Sequence, residues 1–501
     1  MAAAKRELTA TRTKLFYGFG SVAYGVKDNG FSTILLPFYN LVLHLPPQLV
    51  GLALAIAMVF DAFLDPIIGH FSDNLRTRWG RRHPLMYAAA VPVAVSYLLL
   101  WNPPAWSTGA LFAYLIVVAL ITRTFITFYE IPSSALVPEL TQDYDERTSF
   151  LAFRVFFGWY GGLTMSMLAY LVFLKPDATH KVGQLNPLGY SEYGIAAAAL
   201  MFVAILVSAA GTHRFIPFFR KPEARQMTLL QYAREMIATL RNKAFLTLLL
   251  AILFVQLATG LVFALTFYIN TYFWKLTSQQ IGILTFALFI AVFLGFLIAP
   301  AASKRLGKKQ AAIAMFATGG VISSLPLLLG ILGLFVPVGS PYLLPALFTF
   351  AATGAALTIG SSVMIGSMIA DVVEDSELKT GRRSEGLFFA GNAFLQKAVS
   401  GLGVLASGTL LWAVGFPDDA APATIDPAVV TRFAITYLVA VTVLYTVGFR
   451  ILSYFPISRD THRENLERLA HEAGMAAAPV AADLEMDAIP PTDGSEPAPR
   501  V

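Results

Sequence analysis

The stretch FDAFLDPIIGHFSDNLRTRWGRRHP, residues 60–84, places two aspartates inside an apolar run and ends in a basic, arginine-rich segment. Asp61 and Asp65 are four residues apart, so on a helix they lie on the same face. Ionisable groups inside a membrane-spanning helix are costly and are functional candidates by default. The stretch therefore indicates a membrane-spanning helix that carries functional acids and ends at a basic loop.

The composition of the whole chain agrees with a membrane protein. Of its 501 residues, 56% are hydrophobic and 13% are charged, whereas ordinary globular proteins are about 25% charged. The net charge of +5 comes from basic clusters in short loops, so it does not indicate a nucleic-acid partner. The chain has no cysteine, which excludes disulfides, iron–sulfur clusters and thiol catalysis.

About twelve apolar segments are long enough to cross a bilayer as helices, which takes about 20 residues each. They are expected at 15–43, 49–72, 85–101, 110–138, 150–174, 193–214, 246–273, 280–302, 311–335, 342–371, 386–414 and 430–455. The first segment is too long for a cleaved signal peptide and is interpreted as an uncleaved span. The pattern predicts an all-α membrane protein.

Basic residues mark one side of this predicted membrane protein. Arginine and lysine concentrate in the N-terminal tail, in the middle loop and in the loops after spans two, eight and ten, whereas the opposite loops hold few. Because basic loops stay on the cytoplasmic side, both termini and the middle loop are expected in the cytoplasm. The expected location is a bacterial inner (plasma) membrane.

A short motif occurs twice at equivalent places in the chain. The sequence RWGRR at 78–82 follows the second span, and RLGKK at 305–309 follows the eighth. Each glycine suits a tight turn, and the flanking cations suit the cytoplasmic interface. The repeat favours a duplicated transporter of the major facilitator type, in which two six-helix halves rock around a site at the midplane.

This organisation predicts four regions. Residues 1–215 form an N-terminal six-helix bundle, and residues 246–456 form a C-terminal one. Between them, residues 216–245 form a cytoplasmic middle loop, where an apolar stripe predicts an amphipathic helix on the membrane surface. Residues 457–501 are rich in alanine, proline and acidic residues and are expected to be a largely disordered cytoplasmic tail.

Further ionisable residues fall inside the predicted spans. They are Lys27 and Asp28 in span one, Arg123 and Glu130 in span four, where Thr127 shares their face, and Lys397 in span eleven. With Asp61 and Asp65 they make four acids and three bases, which leaves one negative charge for a cation or a proton. Sodium prefers oxygen ligands, which the two aspartates and the Thr127 hydroxyl offer, whereas desolvated carboxylates carry protons instead.

The same residues also fit a structural network of ion pairs. Arg123 favours that interpretation, whereas Asp61 and Asp65 favour function, because two acids on one face exceed what pairing requires. Lys397 fits both, as a partner of either aspartate until a cation displaces it. An intramembrane enzyme is a weaker alternative, since the sequence places no histidine cluster at mid-depth.

Three motifs resemble one known family. DAFLDPIIGHFSD with TRWGRRHP, YEIPSSALVPELTQDYDERTSF and SEGLFFAGNAFLQK are similar to the glycoside–pentoside–hexuronide:cation symporters, the melibiose permease family. The resemblance runs from about Lys14 to span eleven. It implies a major facilitator fold of twelve transmembrane helices in two six-helix bundles. It also implies uptake of a sugar or glycoside coupled to sodium, lithium or protons.

The resemblance also implies roles for individual residues. It assigns the coupling cation to Asp61, Asp65 and Thr127. It assigns the substrate to Asp28, Lys27, Glu130, Arg154 and Lys397. The expected partners are a small-molecule solute, the coupling cation (Na+, Li+ or H+) and the lipid bilayer. We expect a monomer with no enzyme activity and no further cofactor.

Three positions depart from the melibiose permease pattern. Glu130 stands where the pattern has Asp, and Ser134 replaces an aromatic residue, so the sugar pocket differs in reach and stacking. Leu64 replaces an Asn between the paired acids, which bears on the particular cation. The same branch contains animal lysophospholipid transporters, so a lipid, a lysolipid or another small organic solute is the alternative cargo.

Overall fold

The first predicted span is a helix built from several segments. The computed structural model describes residues 10–141, 143–219, 242–380 and 385–457, together with 461, 463 and 464. The segments Thr11–Phe19, Ser21–Asn29, Gly30–Ile34, Leu35–Pro37 and Phe38–Val42 follow one another and are together called α1. Gly30–Ile34 and Phe38–Val42 are π-helical turns, in which the wider backbone hydrogen-bond spacing interrupts the regular α-helix.

Eleven further helices of the described chain are long and apolar enough to cross a membrane. They are α2 (Pro47–Asn74), α3 (His83–Trp101), α4 (Thr108–Ser134), α5 (Tyr144–Leu168), α6 (Pro187–His213), α7 (Lys243–Tyr268), α8 (Ser278–Leu306), α9 (Lys308–Ile331), α10 (Leu343–Thr380), α11 (Glu385–Ala413) and α12 (Pro427–Ser453). Each coincides with one predicted span. The prediction of an all-α membrane protein is therefore confirmed.

Two of these helices extend beyond the predicted apolar segments. α5 begins at Tyr144, because the Asp143 side chain caps it by accepting a hydrogen bond of 3.0 Å from the Glu146 backbone N–H. α10 continues to Thr380, nine residues past its predicted end at 371. In both cases the additional turns are polar, so an apolar-run criterion starts α5 too late and ends α10 too early.

The two copies of the repeated motif share a positive φ angle at their glycines. Gly80 has φ of 73° and Gly307 has φ of 78°, in the left-handed region that other residues avoid. The Gly307 N–H donates to the Ser303 carbonyl oxygen at 2.9 Å, which ends α8. The expectation of a turn at both glycines is confirmed.

Close approaches between helices place the charged residues. A Cβ atom on Gly25 of α1 would lie 1.9 Å from the Gly158 carbonyl oxygen of α5, so only glycine allows this contact. A Cβ atom on Gly408 of α11 would lie 2.1 Å from the Pro47 carbonyl oxygen of α2. Small residues at such contacts are typical of helix packing in membranes. The first contact sets α1 against α5, and the second sets α2 against α11.

Polar contacts join the first half of the chain to the second half at one end of the helices. Asn40 donates to Asp418 Oδ1 at 3.1 Å and accepts from the Tyr268 hydroxyl at 2.8 Å. Gln184 donates to the Leu276 carbonyl oxygen at 2.8 Å. These five residues are called the sealed end below. The five residues lie in or next to the loops on the side of the protein that is poor in basic residues.

Two predictions fall largely on residues that the structure does not describe. The amphipathic helix of the middle loop would lie within residues 220–241, and the tail extends past 464. Both lie outside the described residues and stay predictions.

Candidate functional site

Asp61 is buried at a contact between α2 and α4. Its side chain is 0% exposed, and its Oδ1 accepts a hydrogen bond from Thr127 Oγ1 at 2.7 Å. Its Oδ2 lies 3.1 Å from NH2 of Arg123, whose side chain is 2% exposed. Because Arg123 and Thr127 are one helical turn apart on α4, they reach the same carboxylate. The contact combines an acid, a hydroxyl and a cation that does not lose its proton.

Lys397 of α11 connects this pair to the other carboxylates of the first half. Its Nζ lies 2.6 Å from Asp65 Oδ2, 3.5 Å from Asp61 Oδ2 and 4.0 Å from Glu130 Oε2. Asp65 is the tightest of these three partners. A single lysine of the second half therefore stands among three acids of the first half, and each acid is a potential alternative partner for it.

Glu130 leads from Lys397 to the charged pair of α1. Lys27 Nζ lies 2.7 Å from Asp28 Oδ1 and 3.9 Å from Glu130 Oε2. Lys27 is 1% exposed, whereas the Asp28 side chain is 56% exposed although it lies near the middle of α1. The Asp28 carboxylate is therefore accessible, while Lys27 holds it from the buried side.

Arg154 of α5 completes the network on the other side of Glu130. Its guanidinium lies 4.9 Å from the centre of the Tyr24 ring, in a cation–π contact. Its NH1 donates to Ser133 Oγ at 3.4 Å, and its NH2 donates to the Glu130 carbonyl oxygen at 3.5 Å. Both hydrogen bonds are long, so the guanidinium keeps donors that are available to a bound solute.

The structure brings all the predicted site residues into one connected network. They are Lys27, Asp28, Asp61, Asp65, Thr127, Glu130, Arg154 and Lys397. Their individual roles stay predictions. The sequence placed Arg123 in a structural role but did not show that it is the nearest base to Asp61. The signal for that contact is its four-residue spacing from Thr127.

The net charge of the network differs from the sequence-based tally. That tally gave four acids and three bases, but Arg154 contacts the same residues and adds a fourth base. Asp28, Asp61, Asp65 and Glu130 are thus balanced by Lys27, Arg123, Arg154 and Lys397. The formal charge is zero once Arg154 is included, so Arg154 already supplies the charge that the tally left for a cation.

Three buried carboxylate oxygens of the network accept no hydrogen bond from the described residues, and one of them, Asp61 Oδ2, instead faces Arg123 NH2 at 3.1 Å. The other two are Asp65 Oδ1 and Glu130 Oε2. Both belong to residues that Lys397 contacts through ion pairs. Buried carboxylate oxygens without donors are suited to a cation or to solute hydroxyl groups.

The residues that depart from the melibiose permease pattern change the surface beside this network. The Ser134 hydroxyl donates to the Ile131 carbonyl oxygen at 2.8 Å, so it is engaged within its own helix. The Tyr24 ring near Asp28 is covered on one face by Arg154. An aromatic stacking surface for a sugar is therefore reduced at these two positions.

Sequence comparisons connect the chain to membrane transporters. A family model described as MFS/sugar transport protein matches residues 16–459. An uncharacterized symporter of Synechocystis sp. is 28% identical over 91% of this chain and 96% of its own. The isoprimeverose transporter of Lactiplantibacillus pentosus is 25% identical over 80% of each chain. The sodium-dependent lysophosphatidylcholine symporter 1 of Gallus gallus is 24% identical over 93% of this chain and 90% of its own.

Structure comparison addresses the fold. The inward open conformation of the xylose transporter XylE from Escherichia coli superposes with a TM-score of 0.59 at 15% identity, over 91% of this chain and 98% of that one. At this identity the likeness shows the fold alone, and it confirms the predicted major facilitator fold. The apolar helices and the matched family confirm an integral, multi-pass membrane protein. The matched proteins are transporters and not enzymes.

Proposed function

Because the chain belongs to the family of MFS/sugar transport proteins, we propose that it is a secondary active transporter that couples uptake of a sugar or glycoside to a cation. The observation that carries this proposal is the position of Lys397. Its Nζ lies 2.6 Å from Asp65 and 4.0 Å from Glu130, so one lysine contacts acids assigned to the cation and to the solute. If Lys397 leaves one of these acids, its contact with the other acid therefore changes as well.

The solute region comprises Asp28, Glu130 and Arg154, with Lys27 behind them. The 56% exposed carboxylate of Asp28 and the donor-free Oε2 of Glu130 are acceptors for solute hydroxyls. Arg154 offers donors to the ring or glycosidic oxygens. Lys27, buried and 2.7 Å from Asp28, holds that carboxylate in position. Paired acceptors and donors beside an accessible carboxylate suit a hydroxyl-rich solute.

The coupling region comprises Asp61, Asp65, Thr127 and Lys397. A cation that reaches Asp65 competes with the Lys397 ammonium for the same carboxylate, because two positive charges at that position repel each other. The freed lysine is then available to Glu130, which changes the charge presented to the solute. By linkage, solute binding must strengthen cation binding by the same factor. The coupling ion is Na+, Li+ or H+.

The transport cycle follows from the arrangement of the two predicted bundles, 1–215 and 246–456. We place both termini and the basic loops in the cytoplasm of a bacterial inner membrane, and we take the working unit to be one chain. With this orientation the sealed end faces away from the cytoplasm, and the structure corresponds to an inward-facing conformation.

Accumulation of solute against its gradient tests the proposal. Proteoliposomes that contain the full chain are given a panel of labelled pentosides, hexosides and disaccharides under imposed sodium, lithium and proton gradients. At least one sugar should accumulate above its external concentration and leak out when an ionophore collapses the driving gradient. Asp65→Asn should abolish the accumulation, and Asp419→Asn, at an exposed loop position, is the matched control. Purely downhill transport of every sugar by the wild type would contradict coupling.

A lysolipid is the second candidate solute. The relative in Gallus gallus that carries lysophosphatidylcholine in its name matches nine-tenths of both chains. Competition separates the two candidates: excess lysophosphatidylcholine should not reduce glycoside accumulation if the solute region binds a sugar. If instead lysophosphatidylcholine accumulates under an ion gradient and no glycoside does, the lysolipid assignment replaces the sugar assignment.

A further inference from the structure

Arg123 and Asp61 form an ion pair that is closed to water. Their side chains are 2% and 0% exposed, and NH2 lies 3.1 Å from Oδ2. The Phe31 ring of α1 covers the guanidinium at 5.0 Å. Arg123 is closer to Asp61 than Lys397 is, at 3.1 Å against 3.5 Å. A guanidinium stays charged at any pH that the protein experiences. Asp61 therefore has a permanent positive neighbour.

The Thr127 hydroxyl is engaged by the same pair. It lies 2.7 Å from Asp61 Oδ1 and 2.9 Å from the Arg123 carbonyl oxygen, and both of these atoms are acceptors. Its single proton therefore points toward the pair. Of the two predicted carboxylate ligands, Asp61 is therefore paired with Arg123 and accepts the Thr127 proton, while the lone pairs of Thr127 Oγ1 stay free. Asp65 has an exchangeable partner, since Lys397 is 22% exposed and reaches it through a flexible side chain, whereas Asp61 keeps Arg123 even when Lys397 leaves.

We propose that Arg123 is a resident cation that takes the place of an alkali ion at Asp61, so that coupling in this transporter does not use Na+ or Li+. Hard cations bind through several oxygen ligands, and an Asp61 that is already paired with Arg123 leaves one carboxylate and the lone pairs of one hydroxyl. The fixed charge of Arg123 also repels a metal ion that approaches Asp61. The inference rests on the proposed function, because it concerns the ion that drives symport. It makes Arg123 the residue that determines ion specificity.

Thermal stability of the purified full-length protein tests this inference. Melting temperatures are measured in detergent without solute, in sodium, lithium and choline chloride at equal ionic strength. The wild type should melt at the same temperature in all three salts. Arg123→Ala exposes Asp61, Asp65 and Thr127 to an ion, and sodium or lithium at about a hundred times Kd should raise its melting temperature by roughly 5 °C over choline.

Two further variants separate the charge of Arg123 from its packing. Arg123→Lys retains a positive charge beside Asp61 and should show no alkali response. The double variant Arg123→Ala with Asp61→Asn removes both partners of the pair, so it leaves no buried unpaired charge and should also show no response. If sodium or lithium raises the melting temperature of Arg123→Ala alone, the ion binds beside Asp61, where the guanidinium of Arg123 lies in the wild type.

Several outcomes would overturn the role of Arg123. One is a wild type that sodium or lithium, but not choline, stabilises, with the effect lost in Asp61→Asn. Another is an Arg123→Ala protein that folds but responds to neither alkali ion. If Arg123→Ala can be purified only in sodium or lithium, the inference is supported. If it cannot be purified in any salt while the double variant can, the ion does not substitute for Arg123 and the inference fails.

This experiment is independent of the solute. A failure to accumulate any glycoside would contradict the proposed function but leave the melting results unchanged. Conversely, a wild type stabilised by sodium would overturn the role of Arg123 and leave cation-coupled symport intact.

Discussion

Two of the polar contacts between the halves of the chain differ in chemistry. At the centre, Lys397 stands among three carboxylates at 2.6, 3.5 and 4.0 Å. At the sealed end, Asn40 joins Tyr268 and Asp418 by hydrogen bonds of 2.8 and 3.1 Å, and Gln184 binds a main-chain carbonyl. The central contact is made by ion pairs with several partners. The contact at the sealed end is made by neutral donors, each with a defined acceptor.

This difference suggests different roles for the two contacts. A positive charge among several acids is replaceable, because another cation satisfies the same carboxylates. A neutral amide that makes several directed hydrogen bonds is not replaceable by an ion, and it fixes the geometry of the segments it joins. The centre is therefore suited to exchange during transport, and the sealed end is suited to holding one conformation. The variants below test this division in order of expected effect.

Removing the ammonium at the centre should have the largest effect. Lys397→Met leaves Asp65 and its neighbours without their common cation, which should cost about 3 kcal/mol of stability and abolish uphill accumulation. Adding Asp65→Asn should restore much of the stability but not the accumulation, since the interaction between the two residues is lost in both variants. Lys175→Met, at an exposed loop position, is the matched control. Full accumulation by Lys397→Met would remove the centre from the mechanism.

A change at the solute side of the centre should affect solute affinity alone. Asp28→Asn replaces an acceptor by an amide, which should weaken glycoside binding about tenfold or more and raise KM. The response of the melting temperature to the coupling ion should not change, because Asp28 contacts Lys27 and not the coupling region. Titration of the purified variant with solute, and separately with ion, measures both effects. An altered ion response with unaltered solute affinity would reverse the assignment.

A change at the sealed end should lower stability but leave coupling intact. Asn40 is 1% exposed and bonds to Leu45, Tyr268 and Asp418, so Asn40→Ala should cost about 1–3 kcal/mol. The ratio of accumulated to external solute should stay close to that of the wild type, while the uptake rate falls. Asn102→Ala, at an exposed position, is the control. Loss of accumulation in Asn40→Ala would contradict the division of roles.

The smallest expected effect is a pH dependence at the sealed end. Burial raises the pKa of Asp418 above its ordinary value, although the Asn40 hydrogen bond opposes this. A carboxyl whose pKa is raised by folding stabilises the protein while it is protonated, and this contribution is lost as the pH rises through that pKa. The wild type should therefore lose less than about 1 kcal/mol of folding stability, relative to Asp418→Asn, as the pH rises from about 4 to about 7. The measurement is the melting temperature of both proteins as a function of pH. A difference between the two that stays constant with pH would show that Asp418 does not titrate in this range.

Much of the fold was accessible from the sequence because lipid imposes simple requirements on it. Apolar length alone located the helices, and the repeated glycine at 80 and 307 located two turns. The π-helical turns of α1 were not accessible, because no residue pattern in that stretch marks a change of hydrogen-bond spacing. The polar ends of α5 and α10 were missed because they extend beyond the apolar runs.

The candidate site was accessible as a set of residues but not as a set of contacts. Intramembrane charges on α1, α2, α4 and α11 are few, so the sequence identified them directly. Which acid each base contacts depends on helix packing, such as the Gly25–Gly158 approach that brings α5 against α1. That packing adds Arg154 to the network and changes its net charge from minus one to zero. It also places Arg123, and not Lys397, nearest to Asp61.

The most direct test of the central claim is the reciprocity of ion and solute binding at Lys397. Solute affinity is measured calorimetrically on the purified protein, with and without the ion whose gradient drives accumulation, and ion affinity is measured with and without solute. In the wild type each ligand should tighten the other by the same factor, about tenfold. In Lys397→Met both factors should fall to about one. An equal coupling factor in the wild type and in Lys397→Met would contradict the account, because ion and solute would then communicate without the lysine.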